Sequence, residues 1–194
     1  MHMTSKLGLS TLTCCALFFT GCQPYIKQQP TAQPTPEEIA ANQFNLQGKI
    51  GVRTPQQTGS AFFTWAQDRD EFDIELSGIL GVGKTQITGK PGDVQLNSAK
   101  TGLIEAATPE ELLERATGWQ APITHLVDWV QARPATTQAK IQRDTAQRPS
   151  QIIEDGWSVD LSYNDAANLP NKLILKQALE NGAENRITMV IQNR

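Results

Sequence analysis

Trp157-Ser158-Val159-Asp160-Leu161-Ser162-Tyr163 puts a large apolar side chain at every second position and a small polar or acidic one between. A strand turns successive side chains to opposite faces, so this stretch has one face for a core and one for water. The same period recurs on either side. Phe72, Ile74 and Leu76 alternate with Asp73 and Glu75, Leu173 and Leu175 with Lys172, Ile174 and Lys176, and Ile187, Met189 and Ile191 with Thr188, Val190 and Gln192. Turn sequences separate the runs: Asp68-Arg69-Asp70, Pro91-Gly92-Asp93, Glu154-Asp155-Gly156 and Asn181-Gly182. The pattern predicts a mainly β chain, an antiparallel meander of about nine to eleven strands. A helical pair over residues 109–131 interrupts it about halfway.

The helices are marked by their starts. Thr35-Pro36-Glu37-Glu38 and Thr108-Pro109-Glu110-Glu111 each set Thr at the N-cap, Pro at N1 and Glu at N3, a capping box with proline where its missing N–H costs nothing. They predict helices over 37–43 and 109–116, the second with Leu112, Leu113 and Ala116 inward. A third helix is expected from Pro122, with Ile123, Leu126, Val127 and Val130 on one face and Pro134 beyond its end.

The first residues read as an export signal. Lys6 precedes an apolar run, Leu7 to Phe19, too short for a stable transmembrane helix of about 20 residues. Gly21-Cys22 then resembles a bacterial lipobox, in which cleavage before the cysteine follows its diacylation. Residues 1–21 are thus expected to be a signal peptide, and residues 22–36, from a lipidated Cys22 through a Pro/Gln/Thr-rich stretch, a flexible tether. Residues 37–194 are left for a single domain. By the same resemblance, Gln23, at the position where Asp commonly retains lipoproteins in the inner membrane, is expected to permit passage to the outer one. Cys14 and Cys15 would leave with the signal and Cys22 would be acylated, so no disulfide or cysteine metal site is expected. The net charge of −3 without a basic run argues against nucleic acid.

Residues 78–85, Gly-Ile-Leu-Gly-Val-Gly-Lys-Thr, match the phosphate-loop spacing GxxxxGK[ST]. A phosphate loop needs a helix starting at its lysine. Here Gln86-Ile87-Thr88 alternates and Pro91-Gly92 then breaks the run, so a hairpin loop is expected and no nucleotide. Its Ile79, Leu80 and Val82 are apolar where a loop tip is normally polar, which suggests contact with something apolar. His125 is the sole histidine after the signal, three residues before Asp128, and no nucleophile accompanies the pair. It reads as a surface or rim residue. The four tryptophans, Trp65, Trp119, Trp129 and Trp157, read as core or cavity lining. No enzyme is expected, and no metal or other cofactor.

Spread over residues 43–192 are motifs that together resemble the LolB family of lipoprotein receptors. They are Gly48-Lys49-Ile50-Gly51-Val52, Phe63-Thr64-Trp65, Leu76-Ser77-Gly78-Ile79-Leu80-Gly81, Pro91-Gly92-Asp93-Val94-Gln95-Leu96, Leu126 with Trp129 and Pro134, Gly156-Trp157, and Leu169-Pro170 with Leu173. Ala132, Gln120 and Ile79 depart from family habits of glycine, proline and proline. The resemblance implies an unclosed antiparallel half-barrel whose helices plug one opening over an apolar cavity. Phe63, Trp65, Phe72, Ile74 and Leu76 on strands and Leu112, Leu113, Ile123, Leu126 and Trp129 on helices would line that cavity. It also implies a periplasm-facing, lipid-anchored monomer in the outer membrane that takes acylated cargo lipoproteins from a LolA-like soluble carrier. Leu80, flanked by Ile79 and Val82, would act on outer-membrane lipid. The alternative is a structural or assembly lipoprotein that binds a protein partner through its sheet.

Overall fold

The computed structural model describes residues 42–78 and 83–194. They form one antiparallel sheet of eleven strands: β1 (Gln43–Arg53), β2 (Thr58–Asp68), β3 (Glu71–Ser77), β4 (Lys84–Lys90), β5 (Asp93–Ser98), β6 (Gly102–Ala106), β7 (Lys140–Arg143), β8 (Pro149–Glu154), β9 (Trp157–Ser162), β10 (Lys172–Ala178) and β11 (Glu184–Asn193). The order across the sheet is β6-β5-β4-β3-β2-β1-β11-β10-β9-β8-β7, so the sheet does not close into a barrel. Hairpins build each flank, and the single long-range pairing, β1 with β11, joins the flanks in the middle. The expected meander is present at the upper end of its strand count.

The turns work as their residues dictate. Asp155 and Gly156 take φ of 49° and 77° between β8 and β9, the pair of left-handed residues that a tight hairpin requires. Two glycines mark close approaches instead. A Cβ on Gly48 would sit 2.0 Å from the Val190 carbonyl, beside the register shift in the β1–β11 ladder. One on Gly89 would sit 2.4 Å from the ring of Phe72, which lies over it.

The helical segment connects the two sheet edges, β6 and β7. Helix α1 (Pro109–Thr117) starts as expected: Thr108 Oγ1 accepts from the Glu111 N–H at 3.2 Å, and Gly118 closes the helix at φ 78°. The Glu111 carboxylate turns back to the N–H of Ala107, one residue before the cap. The third helix is shorter than expected. Residues Ile123–His125 form a 3₁₀ turn and α2 (Leu126–Trp129) a single α turn. Then the Ala132 and Arg133 N–H groups bond back to Trp129 and Asp128, with Ala132 in the left-handed region at φ 57°. The helix predicted over 37–43 lies mostly outside the described residues, as does its cap. Its last position is corrected: Gln43 already belongs to β1, paired with Asp68, because Phe44 and Leu46 follow the period of a strand.

Candidate functional site

Inward residues line up in rows across the sheet. One row runs Leu46, Trp65, Ile74, Ile87, Leu96 and Ile104 from β1 to β6. Beside it Phe63 faces Leu76. On the other flank Val52, Ile187, Leu175, Val159 and Ile152 form a second continuous row. Phe63, Trp65, Leu126 and Trp129 are buried in one cluster, and Phe72, Ile74, Leu76, Leu113 and Ile123 pack against it half-buried. Nine of the ten residues expected to line a cavity are thus brought together. Leu112 is buried on α1, which lies against β5 and β6, and is not part of that cluster. Cys22, the tether, Ile79, Leu80 and Val82 lie outside the described residues. The strands that carry the last three are described: Ser77 faces Lys84, and Gly78 and Gly83 at either end of the loop have φ of 80° and 74°. Lys84 opens a strand rather than the helix a phosphate loop needs, and its ammonium pairs with Glu75.

Two polar residues of the inner face escaped the reading of apolar alternation. Gln67 follows Phe63 and Trp65 in the same register and is buried. Its carbonyl oxygen accepts from Trp65 Nε1 at 2.8 Å and its amide donates to Arg69 O at 2.8 Å, fixing the indole that stands edge-on to Phe44. Glu154 follows Ile152 inward at the end of β8 and is 5% exposed. Its carboxylate accepts from Trp129 Nε1 at 2.5 Å and from the Ala135 and Thr136 N–H groups at 3.0 and 2.7 Å. Burial pushes the Glu154 carboxyl up, but these donors together outweigh it and hold the group below its ordinary value. Glu154 therefore holds the helical segment to the sheet. The signal was present, since an alternation that puts Ile152 inward puts Glu154 inward too.

His125 is half-buried, and no hydrogen bond or ion pair joins it to Asp128. Its ring meets Trp129 edge-on at 5.4 Å, and Nδ1 lies 3.6 Å from Asp155 in the β8–β9 turn, too far for a hydrogen bond. Asp128 instead accepts from Arg133 at 2.8 Å, while burial raises its carboxyl above the ordinary value despite that guanidinium. Arg133 also donates to Asn42 at 2.7 Å. Among the described residues no three His, Cys, Asp or Glu side chains gather as a metal site would need. Between the sheet and its short helical cover the arrangement gathers apolar side chains, part of them only half-buried.

The family model for the outer membrane lipoprotein LolB matches residues 42–193. This chain belongs to the LolB family. It is 40% identical over 154 residues to the outer-membrane lipoprotein LolB of Stutzerimonas stutzeri strain A1501, covering 77% of this chain and 72% of that protein. It is 35% identical over 185 residues to LolB of Pseudomonas fluorescens strain Pf0-1, covering 89% and 88%. LolB of Pseudomonas putida strain W619 is 40% identical over 154 residues. Membership places the chain among the outer-membrane lipoproteins of lipoprotein localisation, and the unclosed sheet is the half-barrel that the LolB resemblance implied.

Proposed function

We propose that this LolB-family protein accepts acylated lipoproteins from a LolA-like periplasmic carrier and delivers them into the outer membrane. Lipid on Cys22 would hold it there facing the periplasm. The observation that carries this reading is an apolar surface left partly uncovered. Phe72, Ile74 and Leu76 on β3, with Ile87, Leu96 and Ile104 on β4 to β6, point inward yet remain half-buried. Each methylene moved out of water is worth about 0.8 kcal/mol, so acyl chains need such a surface at every aqueous step. Direction would come from a difference in affinity between carrier and receptor, with no chemical step.

A fluorescent fatty-acid analogue tests the site: it should bind saturably, shift Trp65 or Trp129 emission, and be displaced by lipoprotein. Absence of saturable binding would remove the proposal. Delivery is assigned to Leu80, supported by Ile79 and Val82, in the β3–β4 loop. Leu80→Glu should leave cargo acceptance and melting temperature nearly unchanged while slowing release into liposomes. A fall in melting temperature and in cargo binding together would mean that Leu80 belongs to the core. The Cys22→Ala chain, exported by an ordinary signal, should be soluble and still bind cargo. The assembly-lipoprotein reading has one observation in its favour: Leu103 on the edge strand β6 is 59% exposed, where a partner's strand could add.

A further inference from the structure

The outer face of the sheet carries its own pattern, which the half-barrel interior does not explain. Arg53, Arg186 and Lys176 are direct cross-strand neighbours on β1, β11 and β10. Their row continues through Ser158 and Ile153 to Lys140 on the edge strand. Four positions back along β1, a second row sets Lys49 between Phe62 and Val190, with Lys172 next. Like charges directly opposite one another in a sheet oppose its pairing, so folding alone does not favour three cations in line. Asp160 offsets Lys176 at 2.7 Å and Glu184 stands 3.8 Å from Arg186. Lys49, Arg53, Lys140 and Lys172 have no ion-pair partner among the described residues. Further from this end, on β2 and β3, the same face turns acidic with Asp68, Glu71 and Asp73. A chain of net charge −3 thus sets six of its 17 lysines and arginines on this part of one face, whereas Arg69 and Lys90 at the acidic end stand beside Asp68 and Asp93.

We propose that this basic band, formed by Lys49, Arg53, Lys140, Lys172, Lys176 and Arg186, is a docking surface for an anionic phospholipid bilayer. Charge complementarity argues for an anionic occupant. Phe62 argues for a lipid surface over an acidic protein: it is 53% exposed, with the Lys49 ammonium 4.7 Å from its ring centre. An aromatic ring with a flanking lysine suits the boundary between headgroups and acyl chains. The row of Lys49 ends at Ser77 and Lys84, where the β3–β4 connection leaves the sheet. Docking by this band would therefore turn that end of the half-barrel to the membrane, and the acidic end would be repelled. The inference uses only the family's placement in the outer membrane, so its failure would leave cargo acceptance standing.

The test uses the full chain carrying Cys22→Ala, so that acyl anchoring does not mask the surface, with phosphatidylcholine vesicles lacking or containing phosphatidylglycerol. Co-flotation should favour the phosphatidylglycerol vesicles and weaken as salt rises. Removing one cation near an anionic surface weakens binding about fivefold, so adding Lys49→Gln and Arg53→Gln together should weaken it about thirtyfold. The melting temperature should hold or rise, because like-charge repulsion is relieved. Glu71→Gln with Asp73→Asn should leave binding equal or tighter. Equal binding to both vesicle types, or no loss in the double variant, overturns the proposal. So does a double variant that keeps vesicle binding but no longer takes cargo from the carrier in solution, since the band would then serve an acidic protein.

Discussion

On β8 to β10 the inward residues Ile152, Val159, Leu173 and Leu175 are 0 or 1% exposed, whereas on β3 to β6 Ile74, Leu76, Ile87, Leu96 and Ile104 stay half-buried and, of the inward side chains there, Val94 alone is sealed. Both flanks alternate apolar and polar residues with the same period. The difference lies in what covers them. Trp157 and the Trp129–Val130 turn, held by Glu154, fill the space over the first flank. Over the second, the cover is α1, which lies against β5 and β6, with half-buried Leu113 and Ile123. A dry, close-packed flank supplies stability. A flank left partly open gives up some of that stability and keeps an apolar surface available.

The comparison breaks most readily by truncation on each side. Leu175→Ala should cost about 3 kcal/mol, since a fully buried side chain leaves a cavity, and lower the melting temperature by about 10 °C. Ile74→Ala should cost less than half of that and instead weaken the fatty-acid probe. Equal melting shifts with unchanged probe binding would abolish the distinction between the flanks.

Glu154 tests what keeps the packed flank closed. Glu154→Gln should cost about 2 kcal/mol, because one of the charge-assisted acceptor positions becomes a donor facing an N–H. The Glu154 carboxyl is held below its ordinary value of 4.5 in the fold. Its contribution is therefore present above pH 4.5 and is lost as pH falls through the lower folded value. Urea titrations at descending pH should show the gap between wild type and Glu154→Gln closing below pH 4.5. A gap independent of pH would mean that the loss comes from packing and not from the carboxylate.

The smallest effect is expected at Ala132, where the chain turns back after α2 with φ 57°. A Cβ is unfavourable in that region by about 1–2 kcal/mol, partly regained by alanine through its smaller unfolded-state entropy. Ala132→Gly should raise stability by up to about 1 kcal/mol and leave the probe unaffected. A drop in melting temperature would show that the Ala132 methyl contributes packing that outweighs the strain.

Inward strand residues were legible because alternation names them without knowing the strand's neighbours. Phe72, Ile74 and Leu76 were readable that way, Phe63 and Trp65 came with the LolB resemblance, and the five fall on adjacent strands, with Phe63 opposite Leu76 and Trp65 opposite Ile74. Gln67 and Glu154 obey the same period and were passed over because a polar side chain on the inner face makes sense only once its partner is known. Trp65 lies two residues from Gln67, while Trp129 reaches Glu154 across 25 residues. The surroundings of His125 were hidden for a related reason. Helical spacing offers Asp128 at i+3, but the helix ends after one turn and the fold brings Asp155 nearer.

The sequence by itself determined the strands and their faces, the hairpin turns, the capped start of α1 and the absence of a helix after Lys84, all set by side-chain period and local backbone preference. Only the tertiary structure decided that β1 and β11 meet mid-sheet, that Arg53, Arg186 and Lys176 stand in one row, and that one apolar flank is sealed while the other stays half-open. Those depend on register between distant strands and on which element lies over which face. A period of two residues specifies a face and carries no information about its neighbour.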